Sequence, residues 1–336
     1  MKIIVDAHGG DNSPLEVLKG SALAVAEYGI EVVLCGKEQE LRQLMAKESI
    51  SDKGMIFAGA GQVMPVEADP TSVVKEYADS SITVGLKLLA EGGGDAFVSA
   101  GSTGAVTVGS SLIVKRIKGI KRAAIAVVMP TTDGQYMLID GGANAECRPE
   151  MLCQFGIMGS AYMGKMFGLA SPRVGMVNIG AEETKGLELQ IEANKLLKEA
   201  PVNFIGNVEG RDLPLGGCDV AVADGFTGNV ILKLTEGMGK MMSVELKKIL
   251  LGSTLSKVAA LIVKKNVMNF RKRMDYTEYG GSPLLGIAKP VVKAHGSSNA
   301  HAIKNAIRQA KEMVEHQVIA QVEQALAQIK AAEKDQ

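Results

Sequence analysis

The sequence has no excess of charge of either sign. Its 37 lysines and arginines balance 37 aspartates and glutamates, which argues against bulk nucleic-acid binding and leaves only local basic patches to weigh. Cysteine and histidine are scarce, four of each. Cys35, Cys147, Cys153 and Cys218 form no CxxC pair, and the histidines have no HExxH spacing, so no metal cage is expected. A reducing, cytoplasmic compartment fits this cysteine usage best. No apolar run reaches the roughly 18 residues of a membrane-spanning helix. MKIIVDAHGG enters a predicted strand at once, which leaves no room for a secretory signal. The chain is expected to be soluble, or to rest on a membrane surface at most. Nucleotide signatures are missing as well. GMGK (237–240) lacks the upstream glycine of a Walker loop, Leu234 standing in its place, and no GxGxxG follows the first strand. ATP and NAD are therefore disfavoured, a small anion such as phosphate is preferred, and no cofactor is expected.

What is present is a core. The 336 residues are 46% hydrophobic and 22% charged, enough for one large α/β domain or two lobes. Short β-branched runs alternate with helical patterns. KIIVDA (2–7) leads to a helix near Pro14, where Ser13-Pro14-Leu15-Glu16 reads as a capping box. IEVVLCG (30–36), DAFVSAG (95–101), QYMLIDGG (135–142), RVGMVNIG (173–180) and Cys218–Asp224 are each followed by a loop and a helix. The stretch from Asn299 reads as one long helix. Such alternation predicts a three-layer α/β/α sandwich around a largely parallel sheet.

Several of the predicted strands end in loops rich in Gly, Asp, Asn, Ser or Thr: DAHGGDNSP, SAGSTGA, DGGANAECRP, NIGAEETKG and DGFTGN. In a parallel sheet all carboxyl ends lie on one edge, so these loops are expected to gather there. Glycine lets a backbone approach a ligand closely, and the helix that follows presents free N–H groups. For any single loop the plainer reading is a turn with a helix cap. For the set, an anion cradle is the better reading, because capping requires neither the paired glycines nor Lys185 and Asn229 inside the turns.

DAHGGD, SAGSTGA, DGGANAECRP, NIGAEETKG, ADGFTGNVILK, DYTEYGGSPLLG and KAHGSSN occur in this order between residues 6 and 299. Together they resemble the PlsX family of bacterial phosphate acyltransferases over nearly the whole chain. The resemblance implies transfer of a fatty acyl group from acyl carrier protein to inorganic phosphate, giving acyl phosphate for phospholipid synthesis. It also implies a fold related to isopropylmalate dehydrogenase and phosphotransacetylase, and a homodimer. Residues 1–330 would form one catalytic domain, with lobes of about 1–130 plus 276–330 and of 131–275. His8 departs from the DAMGGD of the family, which leaves the backbone cradle intact and its side-chain contacts open. A phosphotransacetylase-like enzyme using acyl-CoA and a non-catalytic membrane scaffold stand as alternatives.

The chemistry suits a site poor in histidine. Phosphate is already anionic, and a thiol leaving group with a pKa of about 8.5 needs little acid assistance. Position and charge compensation are what remain to be supplied. Lys185 and Asn229 are the expected catalytic pair, with a surface salt bridge and a helix N-cap as their plainer roles. Asp6, Gly9, Gly10, Ser102, Thr103, Gly104, Asn144, Asp224, Gly225, Thr227 and Gly228 are expected to bind phosphate or substrate. Glu182 and Glu183 would repel phosphate and are expected to contact other parts of their loop. KRIKGIKR places Lys115, Arg116, Lys118, Lys121 and Arg122 in one run, an expected dock for acidic acyl carrier protein. Leu251, Leu255, Val258 and Ile262 are spaced as one helical face, beside basic residues that include Arg271, Lys272 and Arg273. That face is expected either to be buried or packed in a dimer, or to lie on anionic membrane at the inner face of the cell, near a downstream membrane acyltransferase.

Overall fold

The structure is a computed structural model that describes residues 1–274 and 280–332. The chain opens with β1 (Lys2–Asp6), α1 (Leu15–Tyr28), β2 (Glu31–Gly36), α2 (Glu38–Lys47) and β3 (Met55–Gly59). Then come α3 (Ser81–Glu91), β4 (Ala96–Ser99) and the short α4 (Thr103–Gly109). β5 (Ala124–Pro130) and β6 (Gln135–Ile139) precede α5 (Pro149–Phe167), β7 (Arg173–Asn178), α6 (Glu188–Glu199), β8 (Asn203–Glu209) and β9 (Val220–Val222). Two long helices follow, α7 (Gly225–Leu251) and α8 (Thr254–Met274). The last described elements are β10 (Ser282–Leu285), β11 (Val291–Lys293), α9 (Ala300–Glu315) and α10 (Val318–Ala332).

The eleven strands of the described residues join one sheet in the order β3-β2-β1-β4-β11-β10-β5-β6-β9-β7-β8. Its central strands are apolar on both faces, as a sheet covered on two sides requires: Ile3, Val5, Val98 and Ile139 belong to one buried cluster, Ile4, Phe97, Leu138 and Ala221 to the other. Helices α1, α5 and α9 cover the first face and α3 and α4 the second. The three-layer α/β/α expectation holds, and most strand pairs are parallel.

The single loop-bearing edge does not. β3, β2, β1, β4 and β11 run one way. β10 pairs antiparallel with β11 and with β5, and β5 pairs antiparallel with β6. The three reversals leave β6, β9, β7 and β8 parallel to one another but opposed to the β1 group. Strand carboxyl ends, and the loops on them, are thus divided between two opposite edges.

Two local expectations also change. The residues after β1 form no capping box: Ser13 Oγ donates to the His8 and Gly10 carbonyls, and Glu16 accepts from the Ala300 amide at 2.7 Å, joining α1 to α9. The C-terminal helix is broken at Gln317, whose φ of 52° lies in the left-handed region, so α10 turns back onto α5.

Candidate active site

One edge collects the carboxyl ends of β6, β7 and β9. Here Asp140, following β6, is fully buried and accepts from the amides of Ile125 (2.9 Å), Gly142 (3.2 Å), Ala143 (3.0 Å) and Asn144 (2.7 Å). It also accepts from the Asn144 side chain at 2.9 Å. Burial raises its pKa, and these hydrogen bonds oppose the shift. The loop is therefore wound around one carboxylate. Asn144 gives its second amide hydrogen to the Ala123 carbonyl at 2.8 Å, so its side chain orients the loop and has no donor left for a ligand.

Helix α7 starts against this loop. Gly225 donates to the Asn144 carbonyl at 2.7 Å, and a Cβ on Gly225 would come within 2.5 Å of that same oxygen. A Cβ on Gly228 would collide with the Asp140 carbonyl oxygen. Both glycines are required by close approach. The cap of α7 is Asp224, which accepts from Thr227 N at 2.9 Å and Thr227 Oγ1 at 2.8 Å. Asn229, one turn further on, is not an N-cap. Its exposed side chain stands beside Gly142, where an added Cβ would lie 3.4 Å away, and makes no hydrogen bond among the described residues.

Lys185 belongs to the same edge, in the loop after β7. Asn178 staples that loop, donating to the Lys185 carbonyl at 3.0 Å and accepting from Ile179 N at 2.8 Å. Glu183 pairs with Lys198 of α6 at 2.5 Å, while the Glu182 carboxylate and the Lys185 stem both lie beside Gly180. Among the described residues Lys185 Nζ has no hydrogen-bond or ion-pair partner. The salt bridge expected as its plainer role is absent there.

The basic run precedes β5 and so reaches this edge too. Lys115, Arg116, Lys118, Lys121 and Arg122 are exposed, while Ile117 and Ile120 between them are buried. The charge of Arg122 reaches Cys147, a thiol pushed up to about 11 mainly by burial.

Asp6, Gly9, Gly10, Ser102, Thr103 and Gly104 lie at the opposite edge, on the loops after β1 and β4, with KAHGSSN after β11 beside them. Asp6 is buried and accepts from Ser99 Oγ at 2.6 Å and His8 N at 3.2 Å. His8 packs under Gly36 and accepts from Lys37 N at 3.1 Å, so it braces β2 and does not point to a ligand. Gly104 packs on Pro70. The two edges are connected by α7, whose Lys233 and Glu236 act electrostatically on His295. Asp140 and Lys293 were not among the expected site residues, although each opens a quoted motif, DGGAN and KAHGSSN. Of DYTEYGGSPLLG, residues 275–279 lie outside the described residues.

The chain matches the family described as fatty acid synthesis protein over residues 1–321. It is 47% identical over 327 residues to the phosphate acyltransferase of Thermoanaerobacter pseudethanolicus, covering 97% of each chain. To the phosphate acyltransferase of Thermoanaerobacterium thermosaccharolyticum it is 46% identical, again over 97% of each. A solved phosphotransacetylase from Streptococcus pyogenes matches with a TM-score of 0.66 at 18% identity over 94% of both chains. A 4-hydroxythreonine-4-phosphate dehydrogenase from Klebsiella pneumoniae gives 0.56 at 14% identity, covering 94% of this chain and 99% of that one. At such identities these two structures speak for the fold alone. Glycine loops on a three-layer sheet, with these relatives, define an acyltransferase. The chain belongs to the PlsX family of phosphate acyltransferases.

Proposed function

We propose that the protein transfers a fatty acyl group from acyl carrier protein to inorganic phosphate, forming acyl phosphate for phospholipid synthesis. A phosphate oxygen attacks the thioester carbonyl, the carbon–sulfur bond breaks, and the proton carried by hydrogen phosphate ends on the departing carrier thiol. The Lys185 ammonium and the Asn229 amide stabilise the negative charge that accumulates on the carbonyl and phosphoryl oxygens. Asp140, Asn144 and Asp224 hold the loop and helix start that place Asn229, and Asn178 holds the loop that carries Lys185. The carrier, acidic as a family, docks on Lys115, Arg116, Lys118, Lys121 and Arg122.

The observation that carries this reading is the shared edge. Two polar side chains with no partner among the described residues and an exposed basic run sit at the same end of β6, β7 and β9. The protein further acts as a homodimer on the inner face of the membrane. Supporting this is the α7–α8 hairpin, whose long helices contact chiefly each other and leave large apolar side chains exposed. Among the described residues no helix is long and apolar enough to cross a membrane.

The reaction is tested by incubating the protein with long-chain acyl carrier protein and phosphate and trapping acyl phosphate as a hydroxamate. Product formation should be at least tenfold faster than with acyl-CoA; the reverse preference would favour a phosphotransacetylase-like activity. Lys185→Ala should lower turnover on the order of 100-fold, about 3 kcal/mol of barrier. Turnover within twofold of the parent at saturating phosphate would remove Lys185 from the mechanism.

A further inference from the structure

The first turns of α7 carry apolar side chains that the fold itself does not use. Gly225 and Gly228 face the Asp140 loop, and Ile231 and Leu232 pack on the second buried cluster. The other side of the helix carries Phe226, Asn229, Val230 and Leu234, all exposed. Phe226 stands three residues before Asn229, and Val230 and Leu234 follow it at steps of four, so the four side chains share one face. Phe226 is 68% exposed, and every other phenylalanine of the chain is less than half exposed.

Met176 of β7 is level with Val222 of β9, so the Lys185 loop and the start of α7 leave the sheet side by side. That loop adds Ile179 and Leu187, both exposed as well. The amide and the ammonium expected to meet a thioester carbonyl are therefore bordered by bare apolar side chains. A second copy of the chain is the plainest cover for such a row. A seam closing on these turns, however, would bury the Asn229 amide among apolar side chains with nothing to accept from it. An acyl thioester answers both needs: its carbonyl oxygen accepts from the amide, and its alkyl tail takes the apolar neighbours out of water.

We propose that Phe226, Val230 and Leu234 form the seat of the donor's acyl chain, with the tail laid along α7 from Asn229. The inference rests on the reaction proposed above, which supplies the chain. These three residues are specificity residues: they hold the tail and take no part in the bond changes at the carbonyl. Ile179 and Leu187 border the seat on the Lys185 side. The exposed apolar side chains nearer Leu251 are left for subunit or membrane contact.

The test compares palmitoyl and butyryl acyl carrier protein as donors at saturating phosphate, for the parent and for Val230→Ser with Leu234→Ser. Selectivity, the ratio of the two kcat/KM values, should fall roughly tenfold or more in the double variant, mainly through a higher KM for the palmitoyl donor. Phe226→Ser should lower the same ratio, and Phe226→Leu, which keeps an apolar side chain, should restore it. An unchanged ratio in the folded double variant overturns the inference, and so does an equal fall on both donors. A variant that turns monomeric in light scattering with its ratio intact gives the row to subunit packing, which overturns it as well. A parent that turns over neither donor sinks the proposed reaction, and the seat is then read separately, as it is if the variants do not fold. Palmitoyl carrier protein with a diazirine on its chain is photolysed on the parent and the adducts are mapped by mass spectrometry. Adducts within 226–234 support the seat; adducts only elsewhere, or none, overturn it.

Discussion

Asp224 and Asn229 stand one helical turn apart, and the structure separates roles that their positions in the sequence leave mixed. Asp224 satisfies the Thr227 amide at the open end of α7. Among the described residues the Asn229 side chain has no hydrogen-bond partner, and it lies exposed beside Gly142. Removing a capping carboxylate costs about 1 kcal/mol, whereas removing an exposed amide without a partner costs little. Asp224→Ala should therefore lower stability by about 1 kcal/mol in urea denaturation. Asn229→Ala should keep the parent's midpoint and lose at least tenfold in turnover. A midpoint that falls in Asn229→Ala while turnover holds would return that residue to a structural role.

At the level of the element, the start of α7 is a close-packed joint. Gly228 faces the Asp140 carbonyl with no room for a Cβ, and the crowding atom belongs to backbone, which cannot rotate away. Overpacking of this kind costs roughly 1–3 kcal/mol. Gly228→Ala should lose that much on unfolding and should also shift Asn229 away from Gly142, lowering kcat. Equal stability and kcat would show that α7 can slide without consequence. This joint was legible in part, because ADGFTGN interrupts an apolar run with residues suited to turns and caps. Other elements were not. β9 and β11 have three residues each and β10 has four, too short for any period to appear. β5, AIAVVMP, is apolar throughout and carries no alternation. The reversal of the sheet rests on antiparallel pairing of β10, β5 and β6, and pairing direction leaves no mark on a local pattern. The false capping box has the same origin: Glu16 answers to Ala300, 284 residues away.

The molecule as a whole pairs a compact sheet with a projecting hairpin. α7 ends at Leu251 and α8 begins at Thr254, so the face expected on one helix is divided by a turn at Gly252–Ser253. Ser253 Oγ accepts from Ser256 N at 3.0 Å and fixes that turn. Leu251 closes one helix, and Leu255, Val258 and Ile262 open the other. Leu255 and Ile262 are each 80% exposed, so the fold derives almost nothing from them. Aliphatic burial contributes roughly 25 cal/mol per Å2, which makes a few inserted side chains a reversible anchor. Lys257, Lys264 and Lys265 on the same helix should strengthen attachment to anionic lipid, and salt should weaken it. Leu255→Glu with Val258→Glu should therefore release the protein from vesicles containing phosphatidylglycerol. Soluble acyltransferase activity should survive, because the glycine loops lie at the sheet edges. Vesicle flotation and light scattering read the two alternatives together. A double variant that becomes monomeric would assign the face to subunit packing; one that stays assembled and still floats would move the membrane contact to another part of the molecule.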